Sequence, residues 1–332
     1  MKLAVFNLRE DEKFALENWK AKNPDVELTV TSEPLSTENK DLLVGASGVV
    51  LFQFKEIDKE VYDFAKEVGI KVWSTRTAGF DMYRKDLLKE YGITLTNVPS
   101  YSPNAIAEHS VAAALYLSRN FKKITNRVAE HNFSWTKEIV SREFRTLTVG
   151  ILGTGRIGTQ AAKLFKGLGA NVIGYDLYPS EASKEYLTYV DTIDELVAQS
   201  DVISLHIPAL EKYKYLVNED FLSKMKDNSI LVNAARGILV DTKALIKALD
   251  SGKLLGAALD VYEDEGDYIP RDLTGQEIKD KLYKEVIDRD DILYTPHTAF
   301  FTETAVENLI DGSLGAAVDV IRTGHSDNIV KI

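Results

Sequence analysis

Arg236, Glu265 and His297 are the residues whose types could carry a reaction. Arginine offers a forked, permanently charged donor suited to a carboxylate, and histidine gives and takes protons near neutral pH. Glu265 is available to orient and charge that imidazole. Each residue follows an apolar run. Ser229-Ile230-Leu231-Val232-Asn233 leads into Ala234-Ala235-Arg236-Gly237, and Gly256-Ala257-Ala258-Leu259 ends in Asp260 with Glu265 beyond it. Asp291-Ile292-Leu293-Tyr294-Thr295 leads into Pro296-His297, and Asp201-Val202-Ile203-Ser204-Leu205 into His206-Ile207-Pro208. Ligands of open parallel sheets bind outside the carboxyl ends of strands, so these positions are expected to converge on one cleft. Taken singly, Arg236 reads better as a surface ion-pair partner, Glu265 as part of a solvated acidic run and His297 as a satisfied loop imidazole. Their joint placement after strands favours chemistry.

The element that must position them lies earlier. Leu147-Thr148-Val149-Gly150-Ile151-Leu152 enters Gly153-Thr154-Gly155-Arg156-Ile157-Gly158, and a helical stretch runs on to Gly169. Gly153 permits a tight strand-to-helix turn, Gly155 lets a pyrophosphate approach bare backbone, and Gly158 lets the helix pack closely on the strand. The helix N-terminus then faces the phosphates. A second run, Asn171-Val172-Ile173-Gly174-Tyr175, ends in Asp176, close to the spacing of about 20 residues expected of a ribose-binding acid. Asp176 would repel a 2′-phosphate, and no Arg or Lys stands between Tyr175 and Ser183 to neutralise one, which favours NAD over NADP.

A chain of 332 residues is comfortable for two domains. The absence of cysteine rules out disulfides and thiolate chemistry and fits a reducing compartment. Met1-Lys2 leads into Leu-Ala-Val-Phe without a longer apolar region, and no apolar segment reaches the roughly 18 residues of a membrane span, so a cytoplasmic protein without membrane attachment is expected. The net charge of −11 argues against a nucleic-acid partner. An anionic substrate would need a locally positive site.

Lys2 to Phe6, Val26 to Val30, Gly48 to Phe52, Lys71 to Ser74 and Ile93 to Asn97 read as strands, with helices at Glu10 to Lys22 and Val61 to Val68. This α/β region lacks a glycine-rich phosphate loop, so it is not expected to hold the cofactor. Val98-Pro99-Ser100-Tyr101-Ser102-Pro103 breaks the pattern before a long helix at Asn104 to Asn120. The later strands complete a doubly wound parallel sheet, and Thr302 to Ile332, one helix and a tail, should return to the first domain. The expected fold is α/β with two Rossmann-like or flavodoxin-like domains. A discontinuous substrate domain, 1–101 and 299–332, carries an inserted cofactor domain, 102–298.

Over essentially its whole length the sequence resembles the NAD-dependent D-2-hydroxyacid dehydrogenases, and within them the bacterial branch that acts on D-lactate. The resemblance rests on Asn233 to Gly237, Asp260-Val261-Tyr262-Glu263-Asp264-Glu265, Thr295-Pro296-His297-Thr298-Ala299-Phe300, Tyr101-Ser102-Pro103-Asn104-Ala105-Ile106-Ala107-Glu108-His109 and the glycine loop, all in the family's order. It implies that Arg236, Glu265 and His297 are the catalytic set and that Asp260 supports the nicotinamide side, with His206, Ile207, Pro208 and Ala234 also lining the cofactor. It further implies that Tyr101 and the backbone at Ala78-Gly79 hold the substrate carboxylate, and that the chain is a homodimer, with Asn104 to Asn120 a candidate interface. The family commonly has Arg-Asn-Val-Gly followed by Asp-Asn-Ile-Asp, whereas this chain reads Arg76-Thr77-Ala78-Gly79-Phe80-Asp81-Met82-Tyr83. Phe80 bears on the pocket's shape, and Gly79 is retained. Arg156 replaces the histidine of many relatives and adds a phosphate contact.

The expected reaction is reversible reduction of a 2-keto acid by NADH, with His297 supplying the proton and Arg236 with the backbone near Gly79 fixing the carboxylate. The site is expected between the domains, with hinges near Tyr101 and Ala299. Pyruvate and D-lactate are the expected pair, since no second basic cluster serves a larger anion, and bulkier branched keto acids are the rivals. A non-catalytic NAD-sensing protein is the alternative from another class. A formate dehydrogenase would lack this Glu, and a phosphoglycerate dehydrogenase usually carries a regulatory extension, for which the end at Ile332 is expected to leave no room. His109 reads as a packed or domain-interface residue, and His131 and His325 as surface. No metal is expected, because no His and carboxylate pair falls at the spacing of a zinc motif.

Overall fold

Alternating apolar runs and amphipathic stretches build the first sheet. A computed structural model describes residues 1–53 and 55–332. Strand β1 (Lys2–Val5) is followed by α1 (Lys13–Lys22), β2 (Glu27–Val30), β3 (Gly48–Leu51), α2 (Lys59–Glu67), β4 (Val72–Thr75), α3 (Lys85–Tyr91) and β5 (Thr94–Thr96). All pairings are parallel, in the order β2-β1-β3-β4-β5. β3 and β4 are buried along their whole length, as central strands covered on both faces must be. Two departures from the sequence reading occur here. The expected helix at Glu10 to Lys22 opens as a 3-10 turn over Glu10–Glu12, and α3 was not anticipated.

The second sheet follows a pair of helices, α4 (Pro103–Ser118) and α5 (Phe121–Ala129). Pro103 opens α4, where a missing N–H costs nothing, and Asn120 at φ 55° ends the expected longer helix. Then come β6 (Thr148–Leu152), α6 (Arg156–Gly167), β7 (Asn171–Tyr175), β8 (Thr188–Tyr189), α7 (Ile193–Gln199), β9 (Val202–Leu205), α8 (Glu219–Lys224), β10 (Ser229–Asn233), α9 (Thr242–Asp250), β11 (Leu254–Leu259), α10 (Lys281–Asp288) and β12 (Ile292–Tyr294). These strands are all parallel, ordered β12-β11-β10-β9-β6-β7-β8. One face packs on Leu196, Phe221, Leu245 and Leu249, the other on Val111, Ala114, Ala161 and Phe165. Helices therefore cover both faces of a doubly wound sheet.

The last helix, α11 (Glu303–Thr323), ends at Gly324 with φ 74°. Its Ile310, Leu314 and Ala317 join Leu16 and Trp19 of α1 in the core of the first sheet. The chain thus forms two compact units, Met1–Ser102 with Phe301–Ile332, and Pro103–Phe300. Among the described residues no helix is long and apolar enough to cross a membrane.

Candidate active site

In the second unit the glycine loop has the form a dinucleotide requires. Gly153 has φ +94°, and a Cβ there would lie 2.6 Å from the His206 carbonyl oxygen. A Cβ on Gly158 would come within 1.9 Å of the Gly153 carbonyl, so α6 packs directly on the turn. A Cβ on Gly155 would meet nothing within 4 Å, which leaves open space over exposed backbone at the start of α6. That cradle fits a pyrophosphate, and the N-terminus of α6 favours the negative charge. Arg156 is exposed and Ile157 half-buried at its edge.

Asp176, at the end of β7, is tied to the same loop. Its Oδ2 accepts the Thr154 N–H at 2.6 Å and its Oδ1 the Tyr178 N–H at 2.9 Å. A carboxylate has about four acceptor positions, so capacity for ribose hydroxyls remains. His206, Ile207 and Pro208 form the opposing wall. The His206 N–H donates to Leu152 at 2.8 Å, and the Ile207 side chain would meet a Cβ on Gly153 at 2.8 Å. The His206 ring lies 2.9 Å from the Ser204 hydroxyl, and burial pulls its pKa down to about 4. This histidine is thus uncharged near neutrality, suited to a wall and not to supplying a proton.

The loops after β10, β11 and β12 carry the remaining candidates. Buried Asn233 accepts the Ala235 N–H at 3.1 Å and donates to the Arg236 carbonyl at 2.9 Å, which folds Ala234 to Arg236 into a fixed turn. The Arg236 guanidinium donates to the Ala235 carbonyl at 2.8 Å, and among the described residues no carboxylate pairs with it. A Cβ on Gly237 would sit 2.1 Å from the Tyr262 carbonyl carbon, so the Arg236 loop is laid directly on the Glu265 loop. Glu265 is held at both oxygens. Its Oε2 accepts the Tyr262 N–H at 2.9 Å, and its Oε1 lies 2.5 Å from His297 Nδ1.

Asp260 organises the last loop. Its Oδ1 accepts the Thr295 hydroxyl at 2.5 Å and the Thr298 N–H at 2.9 Å, and its Oδ2 accepts the Ala299 N–H at 2.9 Å. Tyr262, Tyr268, Tyr283 and Tyr294 cluster with ring centroids 4.5 to 5.3 Å apart. Burial pushes the Tyr294 hydroxyl far above the usual tyrosine range, as expected of an apolar wall.

In the first unit, the loop after β4 holds Ala78 and Gly79 by their carbonyls. The Ala78 carbonyl accepts from Asn97 Nδ2 at 2.7 Å, and the Gly79 carbonyl accepts the Thr77 hydroxyl. Arg76 anchors that loop from a fully buried position, with Nε 3.0 Å from Glu12 Oε1 and a second nitrogen 2.6 Å from the Asn7 carbonyl. Tyr101 is half-buried, and its carbonyl accepts from Asn308 at 2.6 Å.

Five organising residues escaped the sequence reading: Asn233, Thr295, Thr154 and the buried Glu12–Arg76 pair. Asn233 and Thr295 carried a usable signal, being polar residues that end apolar strands. Glu12, 64 positions from its partner, carried none. His131 and His325 are exposed. Among the described residues no group of three or more His, Asp or Glu side chains is placed to hold a metal ion.

A family model described as D-isomer specific 2-hydroxyacid dehydrogenase, NAD binding domain, matches residues 111–299. The chain is 52% identical over 322 residues to a D-lactate dehydrogenase of Treponema pallidum (strain Nichols), with 97% of each chain covered. A crystal structure of a Treponema pallidum D-lactate dehydrogenase superimposes with a TM-score of 0.93 at 51% identity, covering 100% of both chains. A D-2-hydroxyisocaproate dehydrogenase superimposes with a TM-score of 0.92 at 35% identity, covering 99% of each.

Proposed function

Because the chain belongs to the D-isomer-specific 2-hydroxyacid dehydrogenase family, whose NAD-binding domain spans residues 111–299, we propose that it is an NAD-dependent D-lactate dehydrogenase. It reduces pyruvate reversibly to D-lactate. The observation that carries this reading is the Glu265–His297 pair at 2.5 Å, with an Arg236 guanidinium that pairs with no carboxylate among the described residues, on a loop packed against that of Glu265.

When bound, NADH would supply the hydride for the carbonyl carbon. The chain's own residues do the rest. Arg236 pairs with the substrate carboxylate and polarises the keto oxygen, and the Ala78-Gly79 backbone and Tyr101 take part in carboxylate recognition. His297 gives its proton to the keto oxygen from Nε2, because Nδ1 is committed to Glu265. Glu265 stabilises the imidazolium before that transfer and fixes the ring's orientation. In the reverse direction Nε2 takes the hydroxyl proton back. For the cofactor, Gly153, Gly155, Arg156, Ile157 and Gly158 receive the pyrophosphate and Asp176 the ribose. His206, Ile207, Pro208, Ala234 and Asp260 would line the nicotinamide side.

A homodimer belongs to the same proposal. Trp135 is 95% exposed, Val140 74% and Phe133 71%, an apolar group that a second copy would cover. A cytoplasmic location follows from dependence on an intracellular nucleotide, and the net charge of −11 disfavours nucleic acid as a partner.

The test of substrate class is a kinetic panel of pyruvate, phenylpyruvate, 2-ketoisocaproate, oxaloacetate and hydroxypyruvate with NADH. Pyruvate should give the highest kcat/KM, with close analogues within about 10–200-fold, since one methylene in a pocket is worth only about 1–3 kcal/mol. A maximum at 2-ketoisocaproate would make the chain a branched-chain hydroxyacid enzyme. No turnover with any acid would make it an NAD-binding sensor.

A further inference from the structure

Helix α4 is apolar along most of its length, and a histidine inside it invites the reading of a space-filling ring. The hydrogen bonds around His109 contradict that. Its Nε2 lies 3.1 Å from the Thr295 hydroxyl and 3.7 Å from Asp260 Oδ1. The Thr295 hydroxyl has one proton, and that proton is directed at Asp260 Oδ1 at 2.5 Å. Towards His109 the hydroxyl can therefore only accept, so the His109 proton sits on Nε2. The resulting chain runs from His109 Nε2–H to Thr295 Oγ1–H to Asp260 Oδ1, with every donor matched to an acceptor. Asp260 is 3% exposed and also holds the Thr298 and Ala299 N–H groups, while its carbonyl accepts the N–H of His297 at 2.7 Å. Ala113, Val232, Ala258 and Leu293 share the recess with the His109 ring. Nothing apolar there could replace its donor.

We propose that His109 is a positioning residue for proton transfer: through Thr295 and Asp260 it fixes the loop that presents His297. The proposal rests on the reading of His297 as the proton donor. The link matters because His297 has φ +54°, a backbone conformation that a side-chain-bearing residue keeps only under outside constraint. A misplacement of the acid by about 1 Å can cost about 100-fold in rate.

The test separates a hydrogen-bond donor from mere volume. His109→Leu should lower kcat by about 10–100-fold and leave the dissociation constant for NADH within about 3-fold, since the link acts on orientation in the transition state. His109→Gln, whose amide nitrogen can take the place of Nε2, should recover most of the loss. Thr295→Val should resemble His109→Leu, the double variant should be no worse than the more impaired single one, and Thr295→Ser should behave as wild type. Imidazole nitrogen NMR of the wild type should place the His109 proton on Nε2. If His109→Leu fails to fold, the Thr295→Val and Thr295→Ser pair carries the same contrast. The proposal is overturned by equal impairment of the Leu and Gln variants, by additive losses in the double variant, or by a proton on Nδ1. A wild-type chain without turnover removes the reading of His297 and the proposal with it, whereas an active wild type beside an unimpaired His109→Leu removes the proposal alone.

Discussion

The N–H of His297 donates to the carbonyl of Asp260 at 2.7 Å, so the proposed acid-base residue is bonded backbone to backbone to the buried residue whose carboxylate organises its loop. Asp260 also binds the two N–H groups that follow His297 and the hydroxyl two residues before it. These bonds offset the roughly 1–2 kcal/mol that the left-handed conformation of His297 costs.

Asp260→Asn keeps the shape but turns one acceptor into a donor among three converging donors. One of them is then unsatisfied, at a cost of about 1–3 kcal/mol. Turnover should fall by about 100-fold as the imidazole loses its fixed position. Steady-state kinetics beside a thermal melt measure both effects, and turnover within a few-fold of wild type would remove Asp260 from the positioning of His297.

Gly237→Ala forces a methyl group against the Tyr262 peptide, where a Cβ would be 2.1 Å from the carbonyl carbon. No flexible side chain is there to yield, so the Arg236 and Glu265 loops must separate. An overpacking cost of about 1–3 kcal/mol is expected, with a rise in KM for the keto acid because Arg236 moves. An unchanged KM would show that the two loops shift without consequence for the carboxylate site.

Asp176→Ala should weaken NADH binding and narrow the discrimination against NADPH. The Asp176 carboxylate, held by Thr154 and Tyr178, is the group proposed to accept from ribose, and it would repel a 2′-phosphate. Kinetics with both nucleotides decide this. Equal use of NADPH and NADH by the unmodified chain would contradict the role.

His206 makes the fold sensitive to acid. Burial lowers its pKa from 6.5 to about 4, so between these values the unfolded chain binds the proton more readily than the folded one. The stability this histidine protects is fully present above about 6.5 and is lost as pH falls towards 4. The loss is on the order of 1–3 kcal/mol. Denaturant unfolding above and within that window should show a smaller acid loss in His206→Gln than in the wild type. Equal losses would mean that another group governs the acid limb.

The fold was legible because parallel strands buried on both faces read as apolar runs, and glycine spacing marks where strand meets helix. The candidates Arg236 and His297 stood out for the same reason, standing just beyond strands, and Glu265 follows in the loop after β11. The supporting bonds were not legible. Asn233 and Thr295 are marked only as polar ends of apolar strands, and their partners depend on how three loops fold over one another. Glu12 and Arg76 pair across the first unit, and the donor role of His109 depends on which atom receives the Thr295 proton, a matter of geometry alone. Helix α5 buries none of its residues, so no core stripe marked it out.

The most direct measurement is the configuration of the product formed from pyruvate and NADH, followed in parallel in the wild type and in His297→Gln. The account predicts D-lactate from the wild type and a fall in kcat of at least about 100-fold in the variant, with NADH affinity nearly unchanged. L-lactate, or a variant that turns over as fast as the wild type, would contradict it.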